Sequence, residues 1–270
     1  MNLKNNSGRR GGTLAPLLSN TPEALYWMGF LLADGHFTET RLQVVLAEKD
    51  TEHLQSLSKF LGGVKLRLIE NRCQSGVFRS ISLAIMHTEV VKKLRERWGI
   101  ASRKTYTPPN LSKLSEEELI FVMIGFIDGD GHIARQRKSK TAKVVIRLGN
   151  HSSWAPTLQL FSEIAHKMVQ KPSATVIITK RNVAILKIKE EEVVRMLYLF
   201  SEKIPSLKRK WEKIGENYIS IQEKMSERDT KLQTLLEEGR QQVEIAKMMG
   251  MSVSNLSKTI HRHDLRKKSL

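Results

Sequence analysis

Two stretches of the chain repeat one another, and few folds accommodate the repeat. Trp27-Met28-Gly29-Phe30-Leu31-Leu32-Ala33-Asp34-Gly35-His36 is echoed by Met123-Ile124-Gly125-Phe126-Ile127-Asp128-Gly129-Asp130-Gly131-His132. Each is an apolar helical run with a glycine at its centre and Asp-Gly at its close. The two lie too far apart for a solenoid period, so the pattern predicts a duplicated domain. Glycine inside a helix costs about 1 kcal/mol relative to alanine. Gly29 and Gly125 therefore predict a helix interface in which two backbones approach closely. Gly35 and Gly131 suit the left-handed residue just past a helix end. Asp34 and Asp130 then fall at the negative end of a helix dipole, which disfavours a carboxylate. One such case is what an ordinary buried helix with an Asp-Gly turn produces. Two at matched positions call for a compensating cation. Helices joined at their glycines would bring both carboxylates to one end of the pair, a site for Mg²⁺.

The charge points to a partner. In 270 residues, 45 basic side chains against 28 acidic ones leave a net charge of +17, enough to cover a sizeable face and to favour a polyanion. No apolar run approaches the length of a membrane span, and no secretory core segment is present. Cys73 is the lone cysteine, which excludes a disulfide framework and a thiolate zinc cluster. The expected home is a reducing interior, cytoplasmic (nucleoid-associated) or organellar, and not secreted.

Along the chain, residues 1–20 read as a flexible basic arm. Thr21 and Pro22 start the first motif helix. Strands at Arg41–Glu48, Val64–Ile69 and Val77–Met86 follow, with a helix capped by Asp50 among them and another over Thr88–Trp98. Residues 108–115, around Pro108-Pro109, form a linker. The order then recurs: a motif helix from Glu116 to Asp128 with Ser115 as its cap, strands at Ile133–Arg137 and Ala142–Leu148, and a helix over Pro156–Val169. A hairpin of Ala174–Thr179 with Val183–Ile188 turns at Lys180-Arg181-Asn182, and a last helix runs from Glu190 to Glu202. This predicts an α+β fold of two pseudo-symmetric αββαββα repeats, 21–107 and 116–224, each an antiparallel sheet backed by helices on one face. Arg41, Lys65, Arg67 and Arg79 in the first repeat fall in or beside strands. So do Arg135, Arg137, Lys138, Lys143, Arg147, Lys180, Arg181 and Lys187 in the second, making all twelve candidates for contact with DNA, since strand ribbons can enter the major groove. His36 and His132 read as polar strand residues on the same face, without the spacing of a zinc site.

Both motif stretches resemble the signature of the LAGLIDADG homing endonucleases, in the arrangement that carries two copies in one chain. The glycine, the final aspartate and the glycine after it match in both copies. Leu32 departs from the motif by replacing its first acidic residue, which Asp128 keeps. The resemblance implies a saddle of two sheets over a DNA duplex and Mg²⁺ (or another divalent cation such as Mn²⁺) at Asp34 and Asp130, with Ala33 and Gly129 beside them at the metal. It further implies a water network completed by Glu48 and Asn150, and by Lys104 and Lys210, with Lys208 a rival to Lys210. The implied activity is a staggered double-strand break by a monomer. Alternatives are a non-cleaving DNA-binding regulator of the same fold and a maturase acting on intron RNA.

A polar helix over Lys210–Ser226 leads to a separate tail, residues 225–270. Gln241 to Ile260 resembles a helix-turn-helix. Ser252 caps its second helix, Val253, Leu256 and Ile260 form the buried stripe, and Ser254, Asn255, Ser257, Lys258 and Arg262 point outward to DNA. A three-helix protein-interaction module is the alternative for this tail.

Overall fold

The computed structural model describes residues 12–73, 76–101, 104–136 and 143–267. It divides into two units, residues 1–215 and 216–270. The first is a mixed α+β structure with two four-stranded antiparallel sheets. Arg137 and Lys138 lie outside the described residues, as do the side chains of Lys143 and Arg262.

The first repeat runs α1 (Pro22–Asp34), β1 (Gly35–Phe37), β2 (Arg41–Ala47), α2 (Thr51–Phe60), β3 (Arg67–Cys73), β4 (Gly76–Met86) and α3 (Thr88–Trp98). The second runs α4 (Glu116–Asp130), β5 (His132–Gln136), β6 (Lys143–His151), α5 (Ala155–Lys167), β7 (Ile177–Ile178), β8 (Val183–Ile188) and α6 (Glu191–Ser201). Their sheets share one topology, β1-β2-β4-β3 and β5-β6-β8-β7. Both motif helices start as expected. The Thr21 hydroxyl accepts from the Ala24 N–H ahead of Pro22, and Ser115 forms a capping box with Glu118.

The core is organised around α1 and α4. Every residue from Ala24 to Leu32 and from Leu119 to Asp128 is buried, as befits helices apolar on all sides. Their backbones touch at the motif glycines. A Cβ on Gly29 would lie 2.0 Å from the Val122 carbonyl oxygen, and one on Gly125 2.0 Å from that of Tyr26. Nearer the carboxylates, a Cβ on Gly129 would lie 2.3 Å from that of Ala33.

Several local expectations need correction. Gly35 and Gly131 are extended, with φ −74° and −80°. The chain passes from helix to strand with no reversal, so no left-handed residue is needed. Glycine serves space instead, because a Cβ at either would lie 2.5 Å from the carbonyl oxygen four residues back, Leu31 or Ile127. Strand β7 is shorter than Ala174–Thr179 because side chains of α5 satisfy the backbone before it: the Val176 N–H donates to Gln159 and the Ala174 carbonyl accepts from Ser162. Strand β3 starts at Arg67 because the Val64 carbonyl is held by the Ser58 hydroxyl, 2.6 Å away. Asp50 does not cap α2; its carboxylate is engaged elsewhere.

The polar helix after the second repeat is also longer than expected. As α7 it spans Lys208–Glu237, since no glycine or proline interrupts it between Gly215 and Gly239. In the second unit the end of α7 joins α8 (Gln242–Met248) and α9 (Val253–Lys267). Leu232, Leu235, Ile245, Ala246 and Leu256 form its core, with Met249, Met251 and Ile260 against it. Gly250, at φ +64°, makes the turn before α9, and the Ser252 hydroxyl accepts from the Asn255 N–H. Val253 is 40% exposed and so leaves the predicted stripe; at the first position of α9 it precedes the turn that packs inward. Ser254, Asn255, Ser257 and Lys258 are exposed.

Candidate functional site

The close of α1 and α4 against one another sets Asp34 and Asp130 side by side. The position a Gly129 Cβ would take is 3.5 Å from the Asp34 carboxyl carbon. Both carboxylates reach solvent. Burial of their bases raises the Asp34 carboxyl above its ordinary range, the neighbouring Asp130 raises it further, and Lys210 and Lys104 oppose both. Asp130 is raised by burial and opposed by the same two lysines. Among the described residues, no group of three or more His, Cys, Asp or Glu side chains is placed to hold a metal.

Each lysine closes one motif helix. The Lys104 ammonium donates to the carbonyls of Leu32 (2.6 Å) and Ala33. The Lys210 ammonium donates to those of Ile127 (2.9 Å), Asp128, Gly129 (3.1 Å) and Gly131 (2.8 Å). A cation at a helix C-terminus neutralises the dipole that would otherwise repel the aspartates. Burial lowers both lysines, Lys104 to about 8, against the pull of Asp130 and Asp34. Lys208 is exposed and makes no such contact. Ala33 and Gly129 thus meet a lysine through their carbonyls while packing on each other.

The strand registers align the repeats and separate two residues the sequence reading had matched. His36 pairs with Gln43 and His132 with Arg147, so Gln43 corresponds to Arg147. Counting on, Asn150 corresponds to Leu46, and Glu48 to Ser152. Asn150 donates to an Asp130 carboxylate oxygen at 3.4 Å. Glu48 lies exposed in the turn after β2.

Register also sorts the basic residues. Arg41, Gln43 and Arg67 stand with His36 on the first sheet's face away from the helices, among the exposed apolar side chains of Val45, Phe78 and Met86. Arg147 and Lys187 are paired across β6 and β8 on the equivalent face of the second sheet, with His132. Lys180 and Arg181 sit exposed at the β7–β8 turn, and Lys65 in the loop before β3. Two candidates fall on the opposite face. Arg79 pairs with Glu70 at 3.0 Å, and Arg135 donates to the Lys213 carbonyl at 3.5 Å. Strand alternation puts them there.

A buried polar cluster behind the site went unread in the sequence. The Asp128 carboxylate accepts from the Tyr26 hydroxyl (2.8 Å), the Leu207 N–H (2.7 Å) and the Trp211 indole (2.7 Å). Tyr26 also meets His53 Nε2 at 3.1 Å. Burial pushes Asp128 up to about 6 against those donors and Lys210, and pushes His53 down to about 4. Next along α7, Arg209 grips both oxygens of Asp50. Burial would raise the Asp50 carboxyl, but the guanidinium more than offsets it and holds the group below its usual range. A depressed carboxylate stabilises the fold above the unfolded value of about 3.9 and ceases to as pH falls through the folded one. Asp50→Asn is therefore expected to cost about 1–2 kcal/mol at neutral pH, a modest figure because Arg209 is half-exposed. In urea melts the difference from wild type should vanish below the usual carboxylate range; a constant difference at all pH values would refute the ion-pair account.

Paired αββαββα repeats, central helices in backbone contact and an acid at the end of each together form the LAGLIDADG fold. Solved structures with this architecture include the I-LtrWI LAGLIDADG homing endonuclease bound to target DNA, similar at TM-score 0.51 and 12% identity over 76% of this chain and 92% of that one. Others are I-SmaMI bound to an uncleaved DNA target with calcium ions (TM-score 0.47, 14% identity, 76% and 92% covered) and I-AabMI bound to uncleaved DNA (0.46, 14%, 77% and 92%). No protein-family model and no curated protein matches the chain. Among the described residues no helix is long and apolar enough to cross a membrane.

Proposed function

We propose that the chain is a monomeric, site-specific DNA endonuclease that hydrolyses both strands of a long target. The observation that carries this reading is the pair of solvent-reaching carboxylates, Asp34 and Asp130, meeting between two lysine-capped helix ends. Two oxygen donors with open solvent beside them suit Mg²⁺ or Mn²⁺, which fill out their coordination with water and phosphate oxygens. A bound divalent ion would supply an activated water and charge stabilisation at the phosphate. The chain's own part is positional. Asn150 orients the Asp130 carboxylate, and Lys104 and Lys210 fix the helix ends and would place positive charge beside the phosphates. Glu48, exposed in the turn after β2, would join the water network of the first half. Charge offered where it develops in the transition state is the chief lever for such a reaction.

The open sheet faces would bind the duplex, with Arg41, Arg67, Arg147 and Lys187 reaching into the groove. In the second unit Ser254, Asn255, Ser257 and Lys258 on α9 would extend the footprint in the manner of a helix-turn-helix. Selecting cleaved sites from a randomised plasmid library would find the target. Linear product in Mg²⁺ and none in EDTA is the expected result. Tight binding with no cleavage in either would favour the regulator, and preferential binding of intron RNA the maturase.

The face assignment gives a separate test. Arg147→Ala and Lys187→Ala should each weaken target binding by about 1–3 kcal/mol where they read a base, or lower the salt slope by about one unit where they meet a phosphate. Arg79→Ala and Arg135→Ala should do neither. Titrations of labelled target at several salt concentrations separate these outcomes, and a large loss from Arg79→Ala would reverse the assignment.

A further inference from the structure

We infer that Asp128 is a positioning residue for Lys210 and makes the two halves of the site unequal, so that one DNA strand is cut ahead of the other. This rests on the endonuclease reading above. Asp128 is buried, 2% exposed, and its carboxylate takes three donors at 2.7–2.8 Å. Two of them, the Leu207 N–H and the Trp211 indole, flank Lys210 in sequence. The third, Tyr26, comes from α1, so one carboxylate ties both motif helices to the start of α7. Hydrogen bonds to an ionised acceptor are the strong ones, roughly twice neutral strength. Held this way, Lys210 is 8% exposed and spans four carbonyls at the end of α4.

The matched position in the first repeat is Leu32, which has no polar group. Lys104 has a weaker tether: the Trp154 indole donates to the Lys104 and Thr105 carbonyls at 3.2 and 3.0 Å, both neutral bonds. Its ammonium reaches only two carbonyls. The half of the site served by Lys210 is thus preorganised, whereas the half served by Lys104 must tighten on DNA. Preorganised charge needs no rearrangement at the moment of reaction. The strand beside Asp130 is cut first.

The test uses the full chain and two readouts. Asp128→Asn leaves three donors competing for one acceptor oxygen, and Trp211→Phe, which keeps an aromatic ring in the buried position, removes one donor. On a plasmid bearing the target, wild type should pass through an intermediate nicked on one strand. Either variant should slow that strand by about tenfold or more, Asp128→Asn the more strongly, and the other strand little. Lysine acetylation read by mass spectrometry gives an answer without catalysis. Lys210 should be protected in wild type and exposed in the variants, with Lys104 unchanged, whereas general loosening would raise both. Equal slowing of the strands, or Lys210 labelling that does not rise, overturns the inference. If wild type binds its target and cuts neither strand, the endonuclease reading fails, and the labelling contrast still decides whether Asp128 positions Lys210.

Discussion

Asp34→Asn and Asp130→Asn are each expected to abolish double-strand cleavage, lowering the rate by about 10²–10³-fold or more, while target binding stays near wild type. The reasoning is electrostatic. Each change is isosteric and removes one negative charge from the end of a helix pair whose packing does not depend on it, because both carboxylates reach solvent. Fold and basic sheet faces should therefore be untouched. What is lost is half of the paired-acid site that lies between the two repeats. The neutral variants have a side benefit. Asp34 and Asp130 repel each other and sit at negative helix ends, so each variant is expected to unfold at the same or slightly higher temperature than wild type. Loss of cleavage with unchanged or raised thermal stability marks a site held at a cost to the fold. Normal cutting of both strands by either variant would mean that the chemistry lies elsewhere.

The two acids were legible because they occur twice, in the same setting, on helices whose central glycines, Gly29 and Gly125, call for close backbone approach. Helix and strand order was legible for a similar reason, as each repeat checked the other. What escaped the sequence depends on parity and on distance along the chain. Whether Arg79 or Arg67 faces outward turns on a one-residue choice of strand phase. The opposite charges of Glu70 and Arg79, on the adjacent strands β3 and β4, were a usable signal for their pairing. Glu48 and Asn150 were matched by position at the end of the second strand of each repeat, while the ladder aligns Asn150 with Leu46. The Asp128 cluster joins residues 26, 128, 207 and 211, a combination no local pattern displays. Its one trace was the difference between Leu32 and Asp128 inside an otherwise matched motif.

Gly125→Ala is expected to be, with Gly29→Ala, among the most damaging single-methyl changes at the described residues, costing more than about 3 kcal/mol, beyond the usual range for overpacking. Against it stands the gain of about 1 kcal/mol that alanine brings to a helix interior. That gain is outweighed because the new methyl would lie 2.0 Å from the Tyr26 carbonyl oxygen and 2.7 Å from the Phe30 nitrogen. Both are backbone atoms of α1 and cannot rotate aside, so the helices must part. Parting them moves Asp34 from Asp130 and withdraws the Tyr26 hydroxyl from Asp128, so cleavage should fall even where the variant still folds. Gly63→Ala is a control with no crowding, since nothing lies within 4 Å of its Cβ position. Its φ of +87° brings backbone strain alone, at about 1–2 kcal/mol. Denaturant melts of the two variants separate contact from conformation. A Gly125→Ala protein no less stable than Gly63→Ala would show that the helices do not meet at their glycines, and the carboxylate pair would lose its structural basis.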